Sequence, residues 1–193
     1  MPVELAREAF ALYMEYPGAM SVFCDGRTYR DTVAMERFAR RNARRGSTEA
    51  RQPNDGRFTV VRDLTEWMSR HAHEVEKFCM FFDTAEQAQA ALPRFRALAG
   101  AEVVQGSPDN IELTAQGVDK GTALLALADL LHIPREATVA VGDSENDRAM
   151  LEKAGIAAVM ANGMPHIQAL ADLVSTNDCD HDGVAELFER LGL

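Results

Sequence analysis

Six consecutive residues, Gly142-Asp143-Ser144-Glu145-Asn146-Asp147, hold the densest chemistry in this chain. They follow Val139-Ala140-Val141, an apolar run short enough to be a buried strand, so Asp143 is expected at a strand's carboxyl end. Open parallel sheets bind ligands at that end. Asn146 and Asp147 fall on the next turn, where a helix is predicted to begin, and so share the rim with Asp143. Two carboxylates and an amide there suit a hard cation such as Mg2+, which takes oxygen ligands and keeps waters and substrate phosphate in its shell. Asp and Ser also cap helices. Capping accounts for one or two of these residues and leaves the rest of the polar run unexplained.

The elements that must position this run have a regular rhythm. Apolar strands are predicted at 138–141, 156–160 and 173–175, and helices at 120–131, 145–154, 165–171 and 183–191. Strict alternation of this kind implies βαβ crossovers and a parallel sheet. Before about residue 117 the pattern is mixed. Helices are expected at 3–16, 32–45, 64–71 and 85–98, the last started, kinked or divided by Pro93. Strands are expected at 21–24, 27–29, 58–61, 75–82, 101–104 and 110–114. Asp25-Gly26 reads as a hairpin turn because both residues tolerate positive φ. Residues 46–56 are polar and turn-rich and read as a loop. The fold class is α/β, with domains expected at 1–117 and 118–193.

Composition narrows the function. The 193-residue chain carries a net charge of −10, which argues against non-specific nucleic-acid binding, since that needs basic surface to displace phosphate counterions. Arg37, Arg40, Arg41, Arg44 and Arg45 form a basic cluster, but on a helix they read as a solvated face with salt bridges. No apolar run is long enough to span a membrane, and Glu4, Arg7 and Glu8 break any signal peptide. Cys24, Cys79 and Cys179 lack C-x-x-C spacing, so reduced thiols in a cytoplasmic protein are expected. His71, His73, His132, His166 and His181 have no ligand spacing and default to structural or surface roles.

The run GDSENDRAML at 142–151 resembles the fourth motif of the haloacid dehalogenase (HAD) superfamily, in particular its Cof-like branch (cap type IIB) of small-molecule phosphatases. Gly117-Val118-Asp119-Lys120-Gly121 resembles that branch's third motif, with Lys120 matching the motif's lysine. Ala158-Val159-Met160-Ala161-Asn162-Gly163 is similar to its loop after the next strand, and Ala171-Asp172 and Asp182-Gly183-Val184 to its closing segments. The resemblance implies that 118–193 is the C-terminal half of a Rossmann-like parallel-sheet core. It also implies that 1–117 is an α/β cap, a lid over the substrate.

It further implies the chemistry. In this family an aspartate attacks the phosphate to form an aspartyl-phosphate that water hydrolyses, and Mg2+ clamps the phosphate and neutralises charge. By resemblance Asp143 and Asp147 belong to the metal site. Asn146 orients the phosphoryl group or a metal-bound water, and Asn162 contacts substrate or holds its loop. Lys120 holds the nucleophile and the phosphoryl oxygens, with Asp147 supporting catalysis. The implied partner is a phosphorylated small molecule such as a sugar phosphate.

The chain departs from the family in its first half. The family's first motif is a strand ending D-x-D-G-T, whose first Asp is the nucleophile, and the second ends in Ser or Thr. Neither is intact here. Phe23-Cys24-Asp25-Gly26-Arg27-Thr28 puts Phe23 at the nucleophile's place, and Phe81-Phe82-Asp83-Thr84 is at best a worn second motif. Both fit cap elements better. The expectation is that an N-terminal core segment of about 60–80 residues lies outside this chain, leaving the chain alone inactive. Core strand edges would then be exposed, and a homodimer through them or marginal stability is expected. A non-catalytic relative that keeps the metal rim and cap is the competing reading. A response-regulator-like domain also clusters carboxylates with a lysine, but it has no place for the first half.

Overall fold

The computed structural model describes residues 1–44 and 58–193, so the loop expected at 46–56 and Arg45 lie outside the described residues. The chain divides into two compact units, Met1–Gln116 and Gly117–Leu193.

In the first unit, α1 (Val3–Met14) is followed by the hairpin β1 (Gly18–Cys24) and β2 (Arg27–Asp31), then α2 (Thr32–Arg44). After the undescribed stretch come β3 (Phe58–Val61), α3 (Leu64–His71), β4 (Val75–Phe82), α4 (Ala85–Arg96), β5 (Ala101–Val104) and β6 (Asn110–Ala115). Among the described residues the strands form a six-stranded sheet in the order β3-β2-β1-β4-β6-β5. Asp25 and Gly26 both take positive φ, 49° and 66°, as the hairpin reading requires. β1 begins three residues earlier than its composition suggests, because Gly18, Ala19 and Met20 pair with Phe82, Phe81 and Met80 of the long central strand β4.

Alternation along the strands sorts the side chains. Met20, Val22, Phe78, Met80, Ile111 and Leu113 join Tyr13 of α1 and Phe95 of α4 in one core cluster. The Tyr13 and Phe95 rings lie 4.3 Å apart, and the buried Tyr13 hydroxyl donates to the Ile111 carbonyl at 3.1 Å. Pro93 neither starts nor divides α4 as expected, and the helix runs through it to Arg96. Pro93 sits on the exposed side of α4, so the carbonyl one turn back that it cannot serve is open to water.

The arginines of α2 only partly follow the solvated-face reading. Arg40 does, in an exposed pair with Glu36. Arg37 instead donates to the Gly18 carbonyl. Arg41 clasps Asp109 with two nitrogens, at 3.0 and 3.3 Å, and lies over the Phe81 ring. Cys24 and Cys79 are buried free thiols and Cys179 an exposed one. No helix among the described residues is long and apolar enough to cross a membrane.

In the second unit β7 (Val139–Gly142), β8 (Ile156–Val159) and β9 (Leu173–Val174) form a parallel sheet in that order. The helices are α5 (Lys120–Leu130), α6 (Arg148–Lys153), α7 (Pro165–Gln168) and α8 (Gly183–Leu191). The helix expected at 145–154 is two pieces, a 3-10 turn Glu145–Asp147 and then α6. The tighter turn follows from Asp147 bending back to serve the backbone at Asp143 and Ser144.

Candidate active site at the carboxyl end of the parallel sheet

β7 ends on Gly142 and hands the chain to Asp143. A Cβ on Gly142 would lie 2.5 Å from the Cβ of Asp147, so the glycine makes room for that side chain under the strand end. Asp147 fills the space. Its Oδ2 accepts from the backbone N–H of Asp143 at 3.0 Å and of Ser144 at 3.3 Å, and its Oδ1 accepts from Lys120 Nζ at 2.5 Å. Burial by itself would raise this carboxyl's pKa. The Lys120 ammonium and the two backbone donors outweigh it and hold the group below the ordinary Asp value.

Lys120 is delivered by the first turn of α5. Asp119 caps that helix, accepting from the Thr122 N–H at 2.6 Å while its own N–H donates to Thr122 Oγ1 at 3.1 Å. This reciprocal cap fixes where the helix starts and thus where Lys120 points.

The loop after β8 lies alongside. The Met164 N–H donates to the Asp143 carbonyl at 2.8 Å, and the Met160 N–H to the Gly142 carbonyl at 3.1 Å. The loop after β9 is tied in turn to the loop after β8, by Ala161 N–H to Ser175 Oγ at 2.9 Å. Asn162 makes the second tie: its Oδ1 accepts from the Cys179 N–H at 3.1 Å and its Nδ2 donates to Cys179 Sγ at 3.3 Å.

Of the residues singled out from the sequence, Lys120, Asp143 and Asp147 are therefore linked directly. Asn146 joins them through Ser144, whose hydroxyl donates to Asn146 Oδ1 at 2.9 Å. Asn162 is on the neighbouring loop with its side chain committed to Cys179. Three partners were not foreseen. Lys153 reaches both oxygens of Asp119. His166 meets Glu145 at 2.8 Å, beside the bidentate Arg148–Glu145 pair. Glu186 accepts from the N–H groups of Thr176 and Asn177, which pulls its pKa down to about 2. Asp119 three residues before Thr122 was a readable cap signal, but the other contacts join residues too far apart for local pattern to reveal.

The donors can be weighed against Mg2+. No group of three His, Cys, Asp or Glu side chains among the described residues converges to hold a metal. Both Asp147 oxygens already receive hydrogen bonds, whereas the Asp143 carboxylate has no hydrogen-bonding or ionic partner among the described residues. One open carboxylate beside an amide fits Mg2+, which is commonly held by one or two carboxylates with waters and phosphate oxygens completing its shell. The Asp180-His181-Asp182-Gly183 run, similar in spacing to a nucleophile motif, enters α8 rather than ending a strand, with Asp182 at φ 57°.

A lysine-bridged acidic turn at the carboxyl end of a parallel sheet stands where open α/β folds bind their ligands. The chain belongs to the haloacid dehalogenase-like hydrolase family, whose model matches residues 2–188. It is 39% identical over 106 residues to the phosphatase YwpJ of Bacillus subtilis, covering 55% of this chain and 37% of that protein. It is 32% identical over 118 residues to the 5-amino-6-(5-phospho-D-ribitylamino)uracil phosphatase YcsE of the same species, covering 61% and 47%. The chain thus spans less than half the length of these relatives. Among solved structures, a haloacid dehalogenase-like hydrolase from B. subtilis matches with TM-score 0.77 and 25% identity, over 99% of this chain and 71% of that one. The HAD subclass IIB sugar phosphatase BT4131 matches in fold with TM-score 0.71 and 19% identity, over 100% and 67%.

Proposed function

We propose that this chain supplies the cap and the lysine-acidic half of the active site of a Mg2+-dependent phosphatase acting on phosphorylated small molecules. The observation that carries the reading is the bridge from Lys120 through Asp147 to the backbone of Asp143, set at the end of β7. Residues 1–117 are the cap and 118–193 the core portion. Asp143 holds the metal, which would neutralise phosphate charge and polarise the phosphoryl group. Asp147 acts behind it, fixing Lys120 and the turn. Lys120 offers its ammonium to the phosphoryl oxygens and the attacking carboxylate as charge develops. Asn146 orients the phosphoryl group or a metal-bound water, and Asn162 holds the substrate-side loop through Cys179.

The reaction in this reading passes through an aspartyl-phosphate, and the aspartate that forms it is not among these 193 residues, which contain no D-x-D-G-T run. The chain alone is therefore inactive. Relatives that act on phosphorylated ribitylaminouracil or, as sugar phosphatases, on sugar phosphates support a small phosphorylated substrate. The reading is tested by Mg2+ titration calorimetry: binding by the wild-type chain that Asp143→Asn removes is expected, and binding unchanged in Asp143→Asn would sink it.

The same missing motif favours a second reading, a non-catalytic protein that keeps the metal rim and cap for binding. An in-frame D-x-D-G-T immediately upstream in the coding sequence decides for the phosphatase. Among the described residues β7 pairs with β8 alone, and Leu127, Leu130 and Leu131 of and beside α5 are exposed. These features support pairing with a second copy through the core strands. A compact, cooperatively melting monomer on size-exclusion chromatography would contradict it.

A further inference from the structure

All three lysines of the chain end on a carboxylate: Lys77 on Glu112, Lys120 on Asp147 and Lys153 on Asp119. Two of these pairs join the same two elements. Lys120 opens α5 and reaches Asp147, just before α6. Its neighbour Asp119 is reached from the last residue of α6 by Lys153 Nζ, 3.1 and 3.0 Å from its two oxygens. An acid-base pair of neighbours on one side thus meets a reversed pair, spread over α6, on the other.

Between the two bridges the elements touch. A Cβ on Gly121 would fall 2.1 Å from the Ala149 carbonyl oxygen and 2.7 Å from Lys153 Cδ. The stem of Lys153 therefore crosses the bare face of Gly121 on its way to Asp119. A lysine that merely completes a helix end would turn to the last carbonyls of its own helix. This one leaves them for the residue that caps α5, whose shift would carry Lys120 with it.

We infer that Lys153 is a positioning residue: its ion pair with Asp119, laid across Gly121, sets the first turn of α5 against α6 and so holds the Lys120 ammonium at Asp147. The inference rests on the proposed function only in taking Lys120 as the lysine that meets phosphate.

With so few lysines, the full chain labelled with 15N-lysine offers one side-chain ammonium resonance per ion pair. Three variants separate the roles. Lys153→Met removes the pair. Asp119→Asn removes its charge but keeps a residue that caps equally well. Lys153→Arg keeps the charge. The Lys120 resonance is expected to be protected in the wild type, lost to exchange in Lys153→Met and Asp119→Asn, and retained in Lys153→Arg. Lys77, in the first unit, is the unchanged internal reference. A Lys120 resonance unmoved in both Lys153→Met and Asp119→Asn would overturn the inference. If those two variants unfold the second unit, Lys153→Arg decides, and loss of the Lys120 resonance there also overturns it. Because neither metal binding nor turnover is measured, a chain in which Lys120 responds as expected, but whose Mg2+ binding is unchanged by Asp143→Asn, counts against the phosphatase reading alone.

Discussion

Gly142 and Asp147 compete for one space: a Cβ on the glycine would stand 2.5 Å from the Cβ of the aspartate and 3.0 Å from its Oδ2. The strand therefore ends on glycine because the side chain that organises the site passes beneath it. Gly142→Ala should displace Asp147 and cost about 1–3 kcal/mol, the usual range for overpacking a filled site. The sole tryptophan, Trp67, and the tyrosines Tyr13, Tyr16 and Tyr29 lie in the first unit, so fluorescence will miss this change. Hydrogen exchange of β7 and β8 amides is the measurement, and faster exchange there with unchanged exchange in β4 is expected.

Asp147 also gives a pH signature. Its folded pKa is depressed: burial opposes ionisation, but Lys120 and the N–H groups of Asp143 and Ser144 more than offset it. A depressed carboxylate stabilises the fold above its unfolded pKa, about 3.9 for Asp. That contribution is lost as pH falls through the lower folded value. Asp147→Asn should therefore be less stable than wild type near neutrality, by about 1–3 kcal/mol for a lost charged hydrogen-bond partner. The gap should close as pH drops below about 4. Protection of second-unit amides measured across that range checks it, and a gap independent of pH would be the contrary result.

In the first unit, Arg41 and Asp109 test whether the α2 arginines are structural. Their side chains are 17% and 11% exposed and joined at two nitrogens, whereas Arg40 and Glu36 are 70% and 69% exposed. Arg41→Ala takes two charge-assisted hydrogen bonds from a largely buried carboxylate that Ser107 also serves, and should cost about 1.5–3 kcal/mol. Arg40→Ala should cost at most about 0.5 kcal/mol. Urea titrations followed by Trp67 fluorescence read both. Equal effects would mean that burial of the Arg41 pair carries no weight.

Local pattern was enough for most elements. Period and turn chemistry marked the hairpin at Asp25-Gly26, the strand at Val75 and the alternation after Lys120. What escaped depends on distant partners. The extra residues of β1 are ordered by β4, and Arg41 finds Asp109 68 positions away. The split of the helix after Ser144 comes from one carboxylate turning back on its own loop. At the site, residue types and spacing put Asp143, Asn146 and Asp147 on one rim, and the family resemblance added Lys120. They did not reveal that Asn162 is bound to Cys179, or that Lys153 returns to Asp119. The first depends on how loops after successive strands lie side by side, and the second on how α5 and α6 pack, with partners 17 and 34 positions apart.

The central claim is that these residues assemble a phosphate site without its nucleophile. The most direct measurement is Mg2+-dependent hydrolysis of a generic aryl phosphate by the purified chain, with Asp143→Asn as control. The account predicts no turnover above that control. Turnover that Asp143→Asn abolishes would contradict it, since an attacking carboxylate would then lie within these residues, and Asp25 and Asp83 would be the first to replace.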